Sequence, residues 1–470
     1  MSSLTDLSLT EVADLIRTKK ASAVEVTQAA IDRAQAVQPR LNCFIALEPE
    51  AALTAARALD DELAKGKTRG PLHGVPLAHK DLFYRAGKRT TCGSRILGDF
   101  VATGTSSLLT RMTKAGAVTL GTLNMSEIAV GASGRNETFG HCRNPWNPLH
   151  IAGGSSSGSG SAVGARAVFG SLGTDTGGSI RLPATMCGVV GLKPTQGRIS
   201  RHGVMPLCYS LDNVGPLGRT AKDVAALLQV VAGADPQDPT ASGDPVPDYA
   251  AEMAVVKLKG LRIGVPTSYY YDDVAPSVMA ALDAALAVFR KAGAQVIDID
   301  IGPEHDNARV LSNVLLKVEA GGIHGEWFRT RPGVHNAEVR TRLESGLQIP
   351  AVRYLQAQRL RGPITRQFCA DVFGKVDVMF TPTFPLEVPT LAETDAAIGG
   401  NALRINEKLA WCTRAINYLG LPGLSVPCGF SANGLPVGFQ LVGSPFSEGL
   451  LLGVADAYQQ ETGWHTQKAA

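Results

Sequence analysis

No two of the eight cysteines form a C-x-x-C pair; Cys43, Cys92, Cys142, Cys187, Cys208, Cys369, Cys412 and Cys428 are scattered. That spacing excludes a thiolate zinc site. In a chain of 470 residues with no leader-like start, a disulfide framework is not expected either. The cysteines read as small buried hydrophobes in a reducing, cytoplasmic setting. Residues 1–20 lack a basic segment followed by an apolar one, so no signal peptide is expected. No uncharged apolar stretch reaches about 18 residues, and no membrane span is expected. Lys/Arg runs are missing and the formal charge is only +3, so neither nucleic acid nor a membrane surface is an expected partner. There is no H-E-x-x-H or comparable ligand set, hence no expected metal, and no organic cofactor is expected. Internal repeats are also missing.

With 44% apolar and 19% charged residues, the composition is that of a folded globular chain. Ser8-Leu9-Thr10-Glu11 and Ser22-Ala23-Val24-Glu25 read as capping boxes that open two helices. A third, Ala- and Leu-rich helix is predicted over 49–65. Residues 71–83 predict a short buried strand running into a polar tip. A helix over 106–115 precedes a strand at 116–124, and the small-residue stretch 161–170 predicts a tightly packed helix. Strand 261–266, helix 275–293 and strand 294–301 make one strand–helix–strand unit. The Pro/Asp-rich stretch 234–248 reads as a surface loop. Near the end, Asn433-Gly434 lies between two apolar runs and predicts a hairpin. Strand-like and helix-like segments alternate on both sides of the 234–248 loop. The expected fold is therefore α/β, a single large domain over 1–470 with a mixed central β-sheet covered by α-helices on both faces.

The stretch HIAGGSSSGSGSAVGARAVFG at 150–170 poses the functional question. A flexible linker is one reading, but linkers do not continue into apolar, charge-poor sequence. A phosphate cradle around Gly158, Gly160 and Gly164 needs a strand just before it, and NPWNPLHIAGG cannot supply one. A nucleophile elbow at Ser156 lacks that strand too, and His202, His305, His324, His335 and His465 stand in no suggestive context. A fourth reading joins three segments. Serine attack on an amide needs a base and a set of N–H donors for the oxyanion. Thr176, Gly177 and Gly178 before Ser179 can supply converging N–H groups. Lys80, set between apolar sequence and Leu82-Phe83, is a base if desolvation lowers its pKa. A serine from 155–157 can relay the proton between them. The bland role of Lys80 is an ion pair with Asp81.

These segments carry a resemblance. GPLHGVPLAHKD at 70–81, AGGSSSGSGSAV at 152–163, GTDTGGSIRLPA at 173–184 and GLKPTQGRISRHGVMPL at 191–207 are similar to the amidase signature family of serine amide hydrolases. TLGTLNMSEIAVG at 119–131, SLDNVGPLGRT at 210–220 and NYLGLPGLSVPCGF at 417–430 extend the match over about 25–445. The resemblance implies the amidase signature fold. In it, N-terminal helices occupy about 1–65, a catalytic core about 66–230, and a pocket-forming part about 255–470. It also implies a Ser–cis-Ser–Lys set, with Lys80 as base, Ser155 as the cis-serine and Ser179 as nucleophile. The implied oxyanion hole is the N–H groups of Thr176, Gly177, Gly178 and Ser179. Ala129, Gly131, Ala132 and Ser133 are the implied substrate-binding residues. Asp175 and Arg181 are expected to hold the nucleophile loop.

The family contains the glutaminase subunit of a tRNA-dependent amidotransferase, in which an acidic residue about a dozen positions before GLP recognises the glutamine amino group. Residues 409–422 here contain no Asp or Glu, and Ala410 or a neighbour stands at that place. The resemblance therefore favours a free-standing hydrolase of a small amide, hydrazide or carbamate-like molecule. The alternative is the glutaminase of such an amidotransferase. A catalytically dead scaffold is a further reading, disfavoured by the intact Lys80, Ser155 and Ser179. A homodimer is common among similar proteins.

Overall fold

The computed structural model describes residues 3–302, 304–331, 333–395 and 400–469. Helix α1 spans Leu9–Arg17 and α2 spans Ala23–Leu41, both opened by the two predicted capping boxes: Ser8 with Glu11, and Ser22 with Glu25. Strand β1 (Phe44–Leu47), helix α3 (Pro49–Ala64), strand β2 (Pro76–Lys80), helix α4 (Ser107–Lys114) and strand β3 (Val118–Leu123) follow. The predicted elements over 49–124 are thus all present, with the strand at 71–83 trimmed to its five central residues.

Helix α5 (Ser157–Gly164) begins earlier than the helix expected over 161–170, and the chain from 165 turns into strand β4 (Gly170–Asp175). The reason is packing, not propensity. Ser155 to Val163 are all buried. A Cβ on Gly158 would lie 2.4 Å from the Cys43 carbonyl oxygen, and one on Gly160 would lie 2.6 Å from that of Pro183. The serine–glycine run is therefore a helix start wedged between backbones, where only the smallest residues fit.

Helix α6 (Arg181–Cys187), strands β5 (Val190–Lys193) and β6 (Asn213–Gly218), and helices α7 (Ala221–Val231) and α8 (Tyr249–Ala254) come next. The predicted strand–helix–strand unit is β7 (Arg262–Pro266), α9 (Pro276–Lys291) and β8 (Gln295–Ile299), with β7 and β8 parallel. Helices α10 (Glu304–Thr330), α11 (Ala337–Leu347) and α12 (Ala351–Phe373) lead to β9 (Val378–Pro382), then α13 (Gly400–Leu409) and α14 (Trp411–Leu419). The predicted hairpin is β10 (Gly423–Phe430) and β11 (Pro436–Val442), antiparallel, with Gly434 at φ +75° in the turn; helix α15 (Glu448–Glu461) closes the fold.

Among the described residues eleven strands form one mixed sheet, ordered β1-β3-β2-β4-β6-β5-β10-β11-β9-β7-β8. Central strands β2, β4, β6 and β11 are buried at every position, because helices cover both faces and no polar alternation is needed. The 234–248 loop is tied to the chain before it: Arg198 donates to the Asp244 and Pro245 carbonyls, and Ser200 Oγ donates to Asp235. None of the eight cysteines is in a disulfide. Among the described residues no helix is long and apolar enough to cross a membrane.

Candidate active site

Lys80 is the last residue of β2 and is fully buried. Its Nζ donates to Ser155 Oγ (2.7 Å) and to Thr174 Oγ1 (2.9 Å), the latter on the neighbouring strand β4. Burial lowers the Lys80 amine to about 7, with Asp212 and Asp175 drawing it back upward. The ion pair with Asp81 is not formed. Asp81 instead accepts from the Thr91 N–H (3.0 Å) and the Thr91 hydroxyl, and its burial pushes the carboxyl up to about 6.

Ser155 sits in the loop before α5, and the Gly154–Ser155 peptide is cis. The loop is fixed by its backbone. Gly154 N–H donates to the Ala132 carbonyl (2.7 Å), and the Ser155 carbonyl accepts from Ser126 N–H (3.0 Å). Ser156 ties the two glycine-rich segments together: its N–H donates to the Ser179 carbonyl (3.3 Å) and its hydroxyl to the Thr174 carbonyl (3.1 Å). The Ser179 hydroxyl has no hydrogen bond to another described residue, so the Lys80–Ser155 contact is drawn and a Ser155–Ser179 hydrogen bond is not. From Ala165 to Cys187, only Gly177 and Ser179 are not buried. The fold thus opens this segment to the outside at the expected nucleophile.

The loop after β4 turns on a buried ion pair. Arg181 Nε donates to Asp175 Oδ2 (3.0 Å) and Arg181 Nη2 to Asp175 Oδ1 (2.9 Å). The guanidinium also reaches Gln440 and Asn417, both at 2.6 Å. Burial raises the Asp175 carboxyl, but Arg181 outweighs it and holds the group well below the usual carboxylate range. Asp175 Oδ1 also accepts from Gly178 N–H (2.7 Å). The Gly178 N–H is thus engaged in holding the loop, while those of Thr176, Gly177 and Ser179 have no partner among the described residues. Gly178 has φ +129°, and a Cβ there would meet Thr413 Oγ1 at 2.4 Å.

The four residues expected to bind substrate fall in different places. Ala129 lines a cavity of about 400 Å³ together with Leu82, Thr174, Thr176 and Met205. Gly131 and Ala132 offer their carbonyls to Ser126 Oγ (3.0 Å) and to Gly154, which makes them supports of the Ser155 loop. Ser133 is buried, and its hydroxyl has no hydrogen-bond partner among the described residues. Sequence reasoning missed Thr174, although it precedes Asp175 in the quoted GTDTGGS stretch. It missed Asp212, which accepts from Thr176 Oγ1 (2.6 Å), and Asn417, whose side chain donates to both the carboxylate and the carbonyl of Asp175. Thr174 is the one a strand pattern could have found, since it lies beside Lys80 across the sheet. Among the described residues no group of His, Cys, Asp and Glu is placed to hold a metal.

A family model described as Amidase matches residues 25–452. One subunit of the glutamyl-tRNA(Gln) amidotransferase of Geobacter metallireducens is 41% identical, covering 99% of this chain and 99% of that protein. A solved structure described as an unexpected vestigial protein complex that reveals the evolutionary origins of an s-triazine catabolic enzyme superposes with a TM-score of 0.90 at 33% identity, over 97% of this chain and 99% of the other. A crystal structure of an amidase superposes with a TM-score of 0.87 at 32% identity, over 97% and 100%.

Proposed function

This chain belongs to the amidase family, and we propose that it hydrolyses an amide through an acyl-enzyme on Ser179. Neutral Lys80 takes a proton from Ser155, which takes one from Ser179 as the Ser179 oxygen attacks the carbonyl. The oxyanion is met by the N–H groups of Thr176, Gly177 and Ser179. Ser155 returns a proton to the leaving nitrogen. Water then repeats the sequence and frees the acid. The observation that carries this reading is the buried Lys80 amine at 2.7 Å from Ser155 Oγ, at the base of the loop that exposes Ser179. A fluorophosphonate or sulfonyl fluoride tests it: Ser179 is labelled in the native chain and unlabelled in Lys80→Met. A chain that resists the label, or a Lys80→Met variant with near-full turnover, overturns it. The first result would favour the scaffold reading.

On substrate, the comparisons weigh against the expectation of a free-standing small-amide hydrolase. Identity of 41% across both full lengths supports the alternative, a glutamine-hydrolysing subunit that works in an assembly with other subunits. In that reading tRNA is met through the partners, so the lack of a Lys/Arg run in this chain is no obstacle. One observation keeps the small-amide reading alive. Ala410 is buried in an apolar cluster with Leu182, Met186 and Leu409, so no carboxylate stands there to receive an amino group. Ammonia release from glutamine, set against a panel of anilides and simple amides with the purified single chain, separates the two. Size-exclusion chromatography of the same sample tells a homodimer from a chain that awaits partners.

A further inference from the structure

Helix α14 carries Arg414 to the opening at the nucleophile loop. A Cβ on Gly177 would lie 3.6 Å from Arg414 Nε and 3.8 Å from its Cγ, so the side chain covers Gly177, two residues before Ser179. The residue as a whole is partly exposed, yet its Nε is shut off from solvent and has no hydrogen-bond partner among the described residues. One terminal nitrogen, Nη1, donates to Asn313 Oδ1 on α10 (2.7 Å). Thr413, its neighbour, donates to the Gly177 carbonyl (2.7 Å) and fixes α14 to the loop.

The cations around it are accounted for. Arg309 pairs with Asp306 (2.9 Å) and lies over the Trp411 ring at 4.2 Å. Arg342 pairs with Glu338 (2.9 Å). Among the described residues no carboxylate lies within ion-pair distance of Arg414, although Glu407 is near enough to support its charge. Burial, then Arg342 and Arg309, lower the guanidinium to about 10, which still leaves it charged near neutrality. A buried guanidinium with an orphaned N–H is costly unless something supplies the missing acceptor. Arg181 nearby, by contrast, has its N–H groups matched by fixed acceptors.

We propose that Arg414 binds an anionic group of the substrate, a carboxylate set a short distance from the scissile amide, and thereby selects amides that carry one. The planar fork of arginine suits a carboxylate, which would accept from Nη2, the fork nitrogen that is open to solvent and without a partner among the described residues. The proposal rests on Ser179 being the nucleophile, and it deepens that reading by naming the substrate class. It accommodates both substrate readings above, since glutamine and a carboxylated small amide each present such a group.

The test pairs an anionic amide with a neutral one of similar length: glutaramate against pentanamide. Native chain favours glutaramate in kcat/KM. Arg414→Met loses roughly 100-fold toward glutaramate, the scale of a hydrogen bond to a charged group left unmade, and changes less than about threefold toward pentanamide. Arg414→Lys recovers part of the loss. Equal losses on both amides, or no native preference for glutaramate, overturn the proposal. Glutarate binding, read as thermal stabilisation, is measured in parallel. Stabilisation of native chain but not of Arg414→Met supports the anion site even if no amide is turned over, an outcome that faults the hydrolase reading alone. No stabilisation of native chain, with no preference in turnover, removes the anion site. Unchanged labelling of Ser179 in Arg414→Met shows that the nucleophile loop has kept its shape.

Discussion

Lys80 and Asp81 are adjacent in sequence and face apart: Lys80 reaches Ser155 and Thr174, while Asp81 accepts from Thr91. The end of β2 therefore delivers an amine to the site without the carboxylate that would keep it protonated. Desolvation then decides its charge.

The pH dependence of rate follows. With Lys80 lowered to about 7, the neutral amine is the minor form in acid and the major form in mild alkali. Turnover rises as pH climbs through about 7 and falls about tenfold per unit below it. A kcat/KM profile over about pH 5–9.5 checks this, and a flat profile between about 6 and 9 contradicts it. Stability moves in the same sense. The unfolded amine titrates near 10.5 and the folded one near 7, so between those values the unfolded chain holds the extra proton and stability rises with pH. Lys193, also lowered to about 7 by burial, adds to the rise. Urea unfolding at pH 7 and 9 should show a smaller gain in Lys80→Met than in native chain.

Gly177 and Gly178 respond differently to alanine. At Gly178 the methyl would overlap Thr413 Oγ1 at 2.4 Å, and φ +129° is strained for any side chain. Gly178→Ala is expected to lose roughly 2–4 kcal/mol, from overpacking and backbone strain together. At Gly177 the nearest atom to a new methyl is 3.6 Å away, so Gly177→Ala folds with little change. Because that methyl would lie against Arg414, 3.6 Å from Nε, the same variant should weaken glutaramate turnover. Thermal unfolding of both variants, beside their kcat/KM, reads this out.

Sequence patterns revealed the parts of this fold that local physics dictates. Ser8 and Ser22 cap their helices through the signatures that announced them, and Gly434 turns its hairpin. Lys80 was legible because its apolar flanks imply burial. The start of α5 was not, because serine and glycine are poor helix formers and the helix exists only where Cys43, Asn124 and Pro183 crowd it. By type and position Gly178 fits an oxyanion donor. Its engagement by Asp175 is a matter of side-chain direction within a turn, which no pattern encodes. Arg414 and Asn313 meet across about 100 residues of chain, a long-range contact that a local reading cannot supply.

The thiols give a test of packing that is independent of activity. Seven of the eight cysteines are buried, and Cys369 alone is half-buried. Burial pushes these thiols up, to about 12 for Cys142 and Cys428. An aromatic disulfide reagent at pH 8 should modify about one thiol rapidly in native chain and all eight in denaturant. Cys369→Ser should abolish the fast phase. A second fast thiol would mean that the core opens locally.

The Asp175–Arg181 pair is fully buried and costly to break. Asp175→Ala strips Arg181 of its only carboxylate among the described residues and frees the Gly178 N–H, with Gln440 and Asn417 left as acceptors. Removing one partner of a fully buried pair costs about 3–5 kcal/mol. The acid side follows from the lowered Asp175 carboxyl: its contribution is complete above the unfolded value of 3.8 and is lost as pH falls through the folded one. Acid unfolding should therefore be shallower in Asp175→Ala than in native chain. Joining Asp175→Ala to Arg181→Met removes the stranded cation, and part of the lost stability returns. Labelling of Ser179 does not return with it, because the loop still lacks the carboxylate that orders Gly178. A double variant that regains both would show that the pair serves folding alone.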